Sequence, residues 1–131
     1  MENIKEKLHH NLGKLFYAVA MADKKIEVEE ITVFKTEIRN RWSDPDVKQN
    51  ELAVKDHHEI INIFTQLQAI SANSDSCFNE FSEFYNEHKN LFSKDTKKRI
   101  WNTAQAIALS FAHKNKSELI LLAKLKMLLE K

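Results

Sequence analysis

Apolar residues recur along nearly the whole chain at spacings of three and four, the period of an amphipathic helix. Ile4, Leu8, Leu12, Leu15, Phe16 and Val19 predict a first helix ending near Ala22. Gly13 lies inside it at a cost of about 1 kcal/mol relative to Ala, so a close helix contact is the reason to look for there. A second helix is expected from about Glu27 to Trp42, with Val28, Ile31, Phe34 or Val33, Ile38 and Trp42 toward the core. Its first turn carries Glu27, Glu29 and Glu30, which suit the positive end of the helix dipole.

Ser43-Asp44-Pro45-Asp46 then ends one helix and starts another, because Pro fits a first turn and Ser or Asp can cap it. A short third helix carries Val47, Leu52 and Val54, and a fourth runs from His57 to Ala72 with Ile60, Ile61, Phe64, Leu67 and Ile70 on one side. Asn73-Ser74-Asp75 breaks it. A fifth, strongly aromatic helix presents Cys77, Phe78, Phe81, Phe84, Tyr85 and Leu91. Ser93 is the expected cap of a long sixth helix with Ile100, Trp101, Ala104, Ile107, Ala108 and Phe111, and Ser117 caps a Leu-rich seventh, Glu118 to Leu129. No Gly- or Pro-rich linker divides the series, so the expectation is an all-α fold: one domain over residues 1–131, a single compact bundle of about seven helices. Both ends pair an Ala-rich helix end with a polar turn and a second helix, which suggests two related helix pairs around an inserted middle.

Composition supports the same class. Among 131 residues there is one Gly and one Pro, too little turn chemistry for hairpins, while 43% hydrophobic and 30% charged residues are ordinary for a globular domain. No apolar run reaches about 18 residues and the N-terminus is charged, so neither membrane insertion nor a secretory leader is expected and the protein reads as cytoplasmic. The lone Cys77 allows no internal disulfide and reads as a packed thiol. Charge is unevenly placed. Residues 43–92 hold nine acids against three bases, and residues 93–131 nine bases against three acids. Two packed, complementary helix sets account for this most simply; the alternative is two surfaces for different partners. Lys94, Lys97, Lys98 and Arg99 are followed by a single Trp101, which reads as core, so no nucleic-acid partner is expected.

The pattern Ala22-Asp23-x-x-Ile26-x-x-x-Glu30-x-x-x-Phe34 resembles the TerB-like tellurite-resistance family, whose helical fold is shared by the N-terminal domain of certain membrane-anchored DnaJ co-chaperones. The sharp matches fall between about residues 15 and 38. The resemblance implies a divalent-cation site made from acidic residues of two copies of an Ala-Asp-Gly-x-Ile motif followed by Glu. Asp23, Glu27 and Glu30 are then the candidate metal ligands, for Ca²⁺ or Mg²⁺. Two departures stand out: Lys24 replaces the usual Gly, and His113 and Ile120 occupy the positions of the second acidic pair. A hard cation takes roughly six to eight oxygen ligands, so losing half the carboxylates weakens the site, and His113 shifts it toward transition metals. The plain reading is that Asp23 caps the second helix and Glu30 faces solvent.

Other chemistry finds little footing. One Glu-x-x-His unit, Glu6 to His9, cannot complete a di-iron bundle. Adjacent His57 and His58 project about 100° apart and lack zinc-protease spacing. One glycine excludes phosphate-cradling loops, and His88 lies too far along the axis to activate Cys77. The expected function is a non-enzymatic, TerB-like helical module that binds an unidentified protein within a stress-response or membrane-associated assembly, with a weak divalent-cation site. Two rivals remain: a ligand-binding protein or small enzyme with a pocket between the aromatic helix 77–92 and its neighbours, and a scaffold whose metal site has decayed. An aromatic stripe wider than the core can cover would mark a self-association or partner site.

Overall fold

A computed structural model of the chain describes residues 4–22, 26, 28–42, 51–110 and 116–131, with backbone alone for Lys5, residues 51–57, Ser110 and residues 116–118. These residues form six α-helices and one 3₁₀ turn: α1 Ile4–Ala20, α2 Val28–Trp42, α3 Glu51–Ala69, α4 Ser74–Glu87, the 3₁₀ turn Lys89–Leu91, α5 Lys94–Ser110 and α6 Lys116–Leu129. No strand occurs among the described residues. The expected third and fourth helices differ most: Leu52 and Val54 fall within α3, continuous through the polar stretch Lys55 to His58. That stretch holds neither Gly nor Pro, so nothing in it breaks a helix. The breaker Ser43 to Asp46 lies outside the described residues.

α1 is the centre of the bundle and packs against α3, α4, α5 and α6, while α2 spans α3 and α5. From Leu15 to Ala20 every α1 residue is fully buried, on all sides of the helix. Gly13 makes the contact with α3 close: a Cβ there would lie 2.7 Å from the Ile63 Cβ and 3.1 Å from the Ile60 carbonyl oxygen. Phe34 of α2 stacks on Phe64 of α3 with centroids 3.8 Å apart, and Tyr17 of α1 meets the same ring edge-on at 5.7 Å. The aromatics of α4 fill the other half of the core, where Phe92 packs on Tyr85 at 4.8 Å and edge-on against Phe81 and Phe84.

Local chemistry sets the element ends. Asn73 caps α4 by accepting from the Ser76 N–H at 2.9 Å, and Ser93 caps α5 by accepting from the Thr96 N–H at 3.2 Å, as the sequence predicts for Ser93. α3 closes earlier than Ala72. Ser71 takes φ 50°, and its N–H and that of Ala72 donate to the carbonyls of Gln68 and Leu67, a Schellman closure made without glycine. α6 begins one residue before Ser117, which is therefore inside the helix.

Thr103 is a buried polar side chain, and its hydroxyl is satisfied on both sides. Trp42 donates its indole N–H to the Thr103 hydroxyl at 3.0 Å, and Thr103 donates in turn to the Arg99 carbonyl at 2.7 Å, tying α2 to α5. The Arg99 guanidinium lies 5.3 Å from the Trp42 ring, a cation–π contact over the same joint.

Candidate functional site

The α1–α2 junction carries the predicted acidic residues. α1 ends in the turn Met21-Ala22, Ile26 is half-buried against the core, and α2 opens at Val28. Asp23, Lys24 and Glu27 lie outside the described residues, as does His113. Glu30 is described and corrects the expectation that it faces solvent: it is 7% exposed and partnered. The buried row of α2 is Glu30, Phe34, Ile38 and Trp42, each four residues after the last, so Glu30 heads the stripe. Val28, expected inside, is 76% exposed, and Val33 is 37% exposed. No group of three His, Cys, Asp or Glu side chains that could hold a metal gathers among the described residues.

Beside this junction lies a cleft of about 410 Å³ between the end of α1 (Met21, Ala22), the α3–α4 turn (Ser71 to Asp75) and α6 (Ile120, Leu121, Lys124). The turn is fastened onto α1 by two hydrogen bonds: the Tyr17 hydroxyl donates to the Ala72 carbonyl and the Ser74 hydroxyl to the Ala18 carbonyl, both at 2.8 Å. Burial, and secondarily Cys77, pushes the Tyr17 hydroxyl pKa up, so it stays protonated and able to donate. Ile120, the residue at the expected second-copy Glu position, shares this cleft with Ala22, the neighbour of Asp23. The α6 wall therefore meets the junction with an aliphatic side chain and a lysine. Asp75, unnoticed in the sequence reading as anything but a helix-break residue, supplies a carboxylate on the opposite wall.

The aromatic helix and Cys77 are placed as core. Phe78, Phe81, Phe84 and Tyr85 are buried, and Cys77 is 2% exposed. Its thiol pKa is raised by desolvation and then by the Glu80 carboxylate, with Lys14 opposing, which keeps it as an unreactive thiol. Two further clefts open on the surface. One, about 230 Å³, lies between α5 (Lys97, Lys98, Trp101) and α6 (Lys126, Leu129, Glu130); the other, about 570 Å³, is lined by Lys14, Ile63, Gln66, Leu67, Ala69 and Ile70. Among the described residues neither His nor Cys lines any of these three clefts. Trp101, expected in the core, is half-buried at the second.

The largest departure from the sequence reading is on α6. Leu121, Leu125, Leu128 and Leu129 are buried, while Leu119, Ile120 and Met127 are 62%, 55% and 65% exposed on the opposite side. The signal that could have found this was available: Leu119, Ala123 and Met127 recur four apart outside the buried row. No helix among the described residues is long and apolar enough to cross a membrane. Comparison of the chain with protein-family models, with curated proteins and with solved structures finds no match.

Proposed function

We propose that the chain is a non-enzymatic helical interaction module of the TerB-like kind, a component of a stress-response assembly that works by binding a protein partner. The observation that carries this reading is the outer face of α6, where three large apolar side chains stand exposed on a helix whose other face is already committed to the core. Exposed apolar rows rimmed by charge mark protein contacts more often than catalysis. Cys77, the strongest nucleophile in the chain, is held in the core away from the clefts.

The TerB-like part rests on the residues Ala22, Asp23, Ile26, Glu30 and Phe34, and two placements support it. Glu30 and Phe34 lie in one buried row, and the position of the second-copy acid, Ile120, shares a cleft with Ala22. The reading includes a weak site for Ca²⁺ or Mg²⁺ built from Asp23, Glu27 and Glu30. With Ile120 and Lys124 on the α6 wall, no described residue on that side of the cleft supplies a carboxylate, and weak affinity follows.

Calorimetric titration of the whole chain with Ca²⁺, Mg²⁺, Mn²⁺ and Zn²⁺, repeated on Asp23→Ala, tests the cation. Binding at a dissociation constant of about 10⁻⁴ M or weaker, lost in the variant, is expected. Absence of heat for every ion leaves only the interaction role. That role is tested by capture from the native host with the parent chain and with Met127→Asp as baits. Partners held by the parent and lost by the variant are expected, and identical sets on both baits would rule out α6 as the binding face.

A further inference from the structure

α6 is apolar nearly all round, and a helix of that kind is normally covered on both sides. At about 100° per residue, the exposed Leu119, Ala123, Met127 and Ile120 fall in one band roughly 100° wide, opposite the buried leucines. The next positions around the helix are lysines, Lys126 on the border toward α5 and Lys124 on the border toward α1. Leu119 to Met127 spans about 12 Å, two turns, and the short side chain of Ala123 leaves a notch between the two large ones.

The border toward α5 is the basic one. Its cleft of about 230 Å³ is lined by Lys97, Lys98 and half-buried Trp101 of α5 and by Lys126, Leu129 and Glu130, three bases against one acid. On the other border Lys124 faces Asp75 across the cleft beside α1. Among the described residues Lys98, Lys124 and Lys126 enter no ion pair, and Lys97 has only the Tyr85 ring, 5.8 Å from its ammonium. The acidic α4 does not answer them: it packs on α1, where Glu80 pairs with Lys14 at 3.6 Å. Packing α5 on α6 therefore sets base beside base along an apolar band, and leaves their charge to a ligand.

We infer that this face takes an acidic amphipathic helix of the partner protein, laid along α6 with its apolar side on Leu119, Ala123 and Met127 and its carboxylates over Lys97, Lys98 and Lys126. The inference rests on the reading of the chain as an interaction module and states the chemistry of its partner. A helix fits because the band is straight and notched, so a side-chain ridge can enter at Ala123, and apolar anchors recur on it at the same spacing of three and four. Opposite charge steers the encounter and sets its direction, and apolar contact holds it. A basic helix, or the α6 of a second copy, would set lysine against lysine. An anionic bilayer would spread over the whole face and meet Asp75 and Glu130 as well as the lysines, whereas a helix about 10 Å across covers α6 and the α5 border alone.

Fluorescence anisotropy on the whole chain tests it with a labelled peptide of about 18 residues, leucines along one helical face and glutamates flanking them. A dissociation constant of about 10⁻⁵ M is expected, rising severalfold when salt goes from about 50 to about 500 mM. A twin peptide with lysine for every glutamate should bind at least about tenfold more weakly. Met127→Asp should weaken the acidic peptide about tenfold with unchanged circular dichroism. Lys98→Glu combined with Lys126→Glu should reverse the preference and make the lysine twin the tighter ligand, a gain that loss of fold cannot produce. The inference is overturned by equal binding of the two peptides, by no binding of the acidic one up to about 1 mM, or by an unreversed preference in the double variant. Sedimentation with vesicles of phosphatidylserine and phosphatidylcholine at about 3:7, without binding of the acidic peptide, also overturns it. If the peptide fails while host partners are still lost on Met127→Asp, the inference alone falls; if that variant keeps the same host partners, the α6 reading beneath it falls.

Discussion

Gly13→Ala opposes helix propensity to packing, and the structure decides the sign. In an exposed helix the change stabilises by about 1 kcal/mol, because alanine loses less backbone freedom on folding than glycine. Here the new methyl would meet the Ile63 Cβ at 2.7 Å and its Cγ2 at 2.8 Å, about 0.7 Å short of ordinary contact. Neither atom is the far end of a flexible chain, and the Ile60 carbonyl blocks retreat along α3, so the helices themselves must part. A gap of about 0.5–1 Å forfeits roughly a quarter to a half of each dispersion contact along the seam. Overpacking of this kind costs about 1–3 kcal/mol, and a Cβ-on-Cβ clash belongs at the upper end. The net expectation is destabilisation by about 2 kcal/mol, a fall in Tm of roughly 6–10 °C for a chain of this size. Chemical and thermal denaturation of parent and variant read it directly. Ile63→Ala should not rescue, since it keeps the offending Cβ, whereas in an Ile63→Gly background the penalty should shrink toward the propensity gain. A Gly13→Ala protein as stable as the parent, or more so, would refute the close approach of α1 and α3.

Thr103→Val keeps the shape of the α2–α5 joint but leaves the Trp42 indole N–H without its acceptor; a loss of about 1–3 kcal/mol is expected by urea denaturation, with a shifted Trp emission spectrum. Ser71→Gly should stabilise by about 0.5–1 kcal/mol, because φ 50° strains serine more than glycine, and a lower Tm would contradict the Schellman closure. Cys77 should react with an aromatic disulfide reagent far more slowly in native protein than in urea, and prompt native labelling would contradict its burial. The raised pKa values of Tyr17 and Cys77 mean that the folded chain holds these protons longer than the unfolded one. Their contribution is complete below the ordinary thiol value of 9.0 and is lost as pH rises through the folded values, so a Tm measured from pH 8 to about 10.5 should fall.

Helical period found the helical segments among the described residues, because most bury one face and period reports that face, but it divided α3 into two. It misassigned residues where burial departs from a single apolar stripe. In α2 the pattern placed Val28 at the head of the row, yet Glu30 holds that place and Val28 is in solvent. Apolar residues are only preferentially inside, and a carboxylate at a helix start can be buried when it has a partner and a favourable dipole. α1 shows the converse: Leu15 to Ala20 are buried all round, and their small residues alanine 18 and 20 record that four helices close on it, a fact of assembly that no window of one helix contains. The candidate acidic cluster was legible only as a spacing, since Asp23, Glu27 and Glu30 can converge only as the turn between α1 and α2 directs. The α6 face was legible in composition but not in meaning. A Leu-rich helix satisfies one core with half its leucines, and only the placement of α6 at the edge of the bundle, on α5 and α1, turns Leu119, Ile120 and Met127 from core into surface. The same holds for charge. A net charge of +1 says nothing of partners, and a segregated sequence says only that complementarity exists. Packing α4 against α1 brings Glu80 within 3.6 Å of Lys14, so this part of the acidic middle is answered by the first helix and not by the basic end.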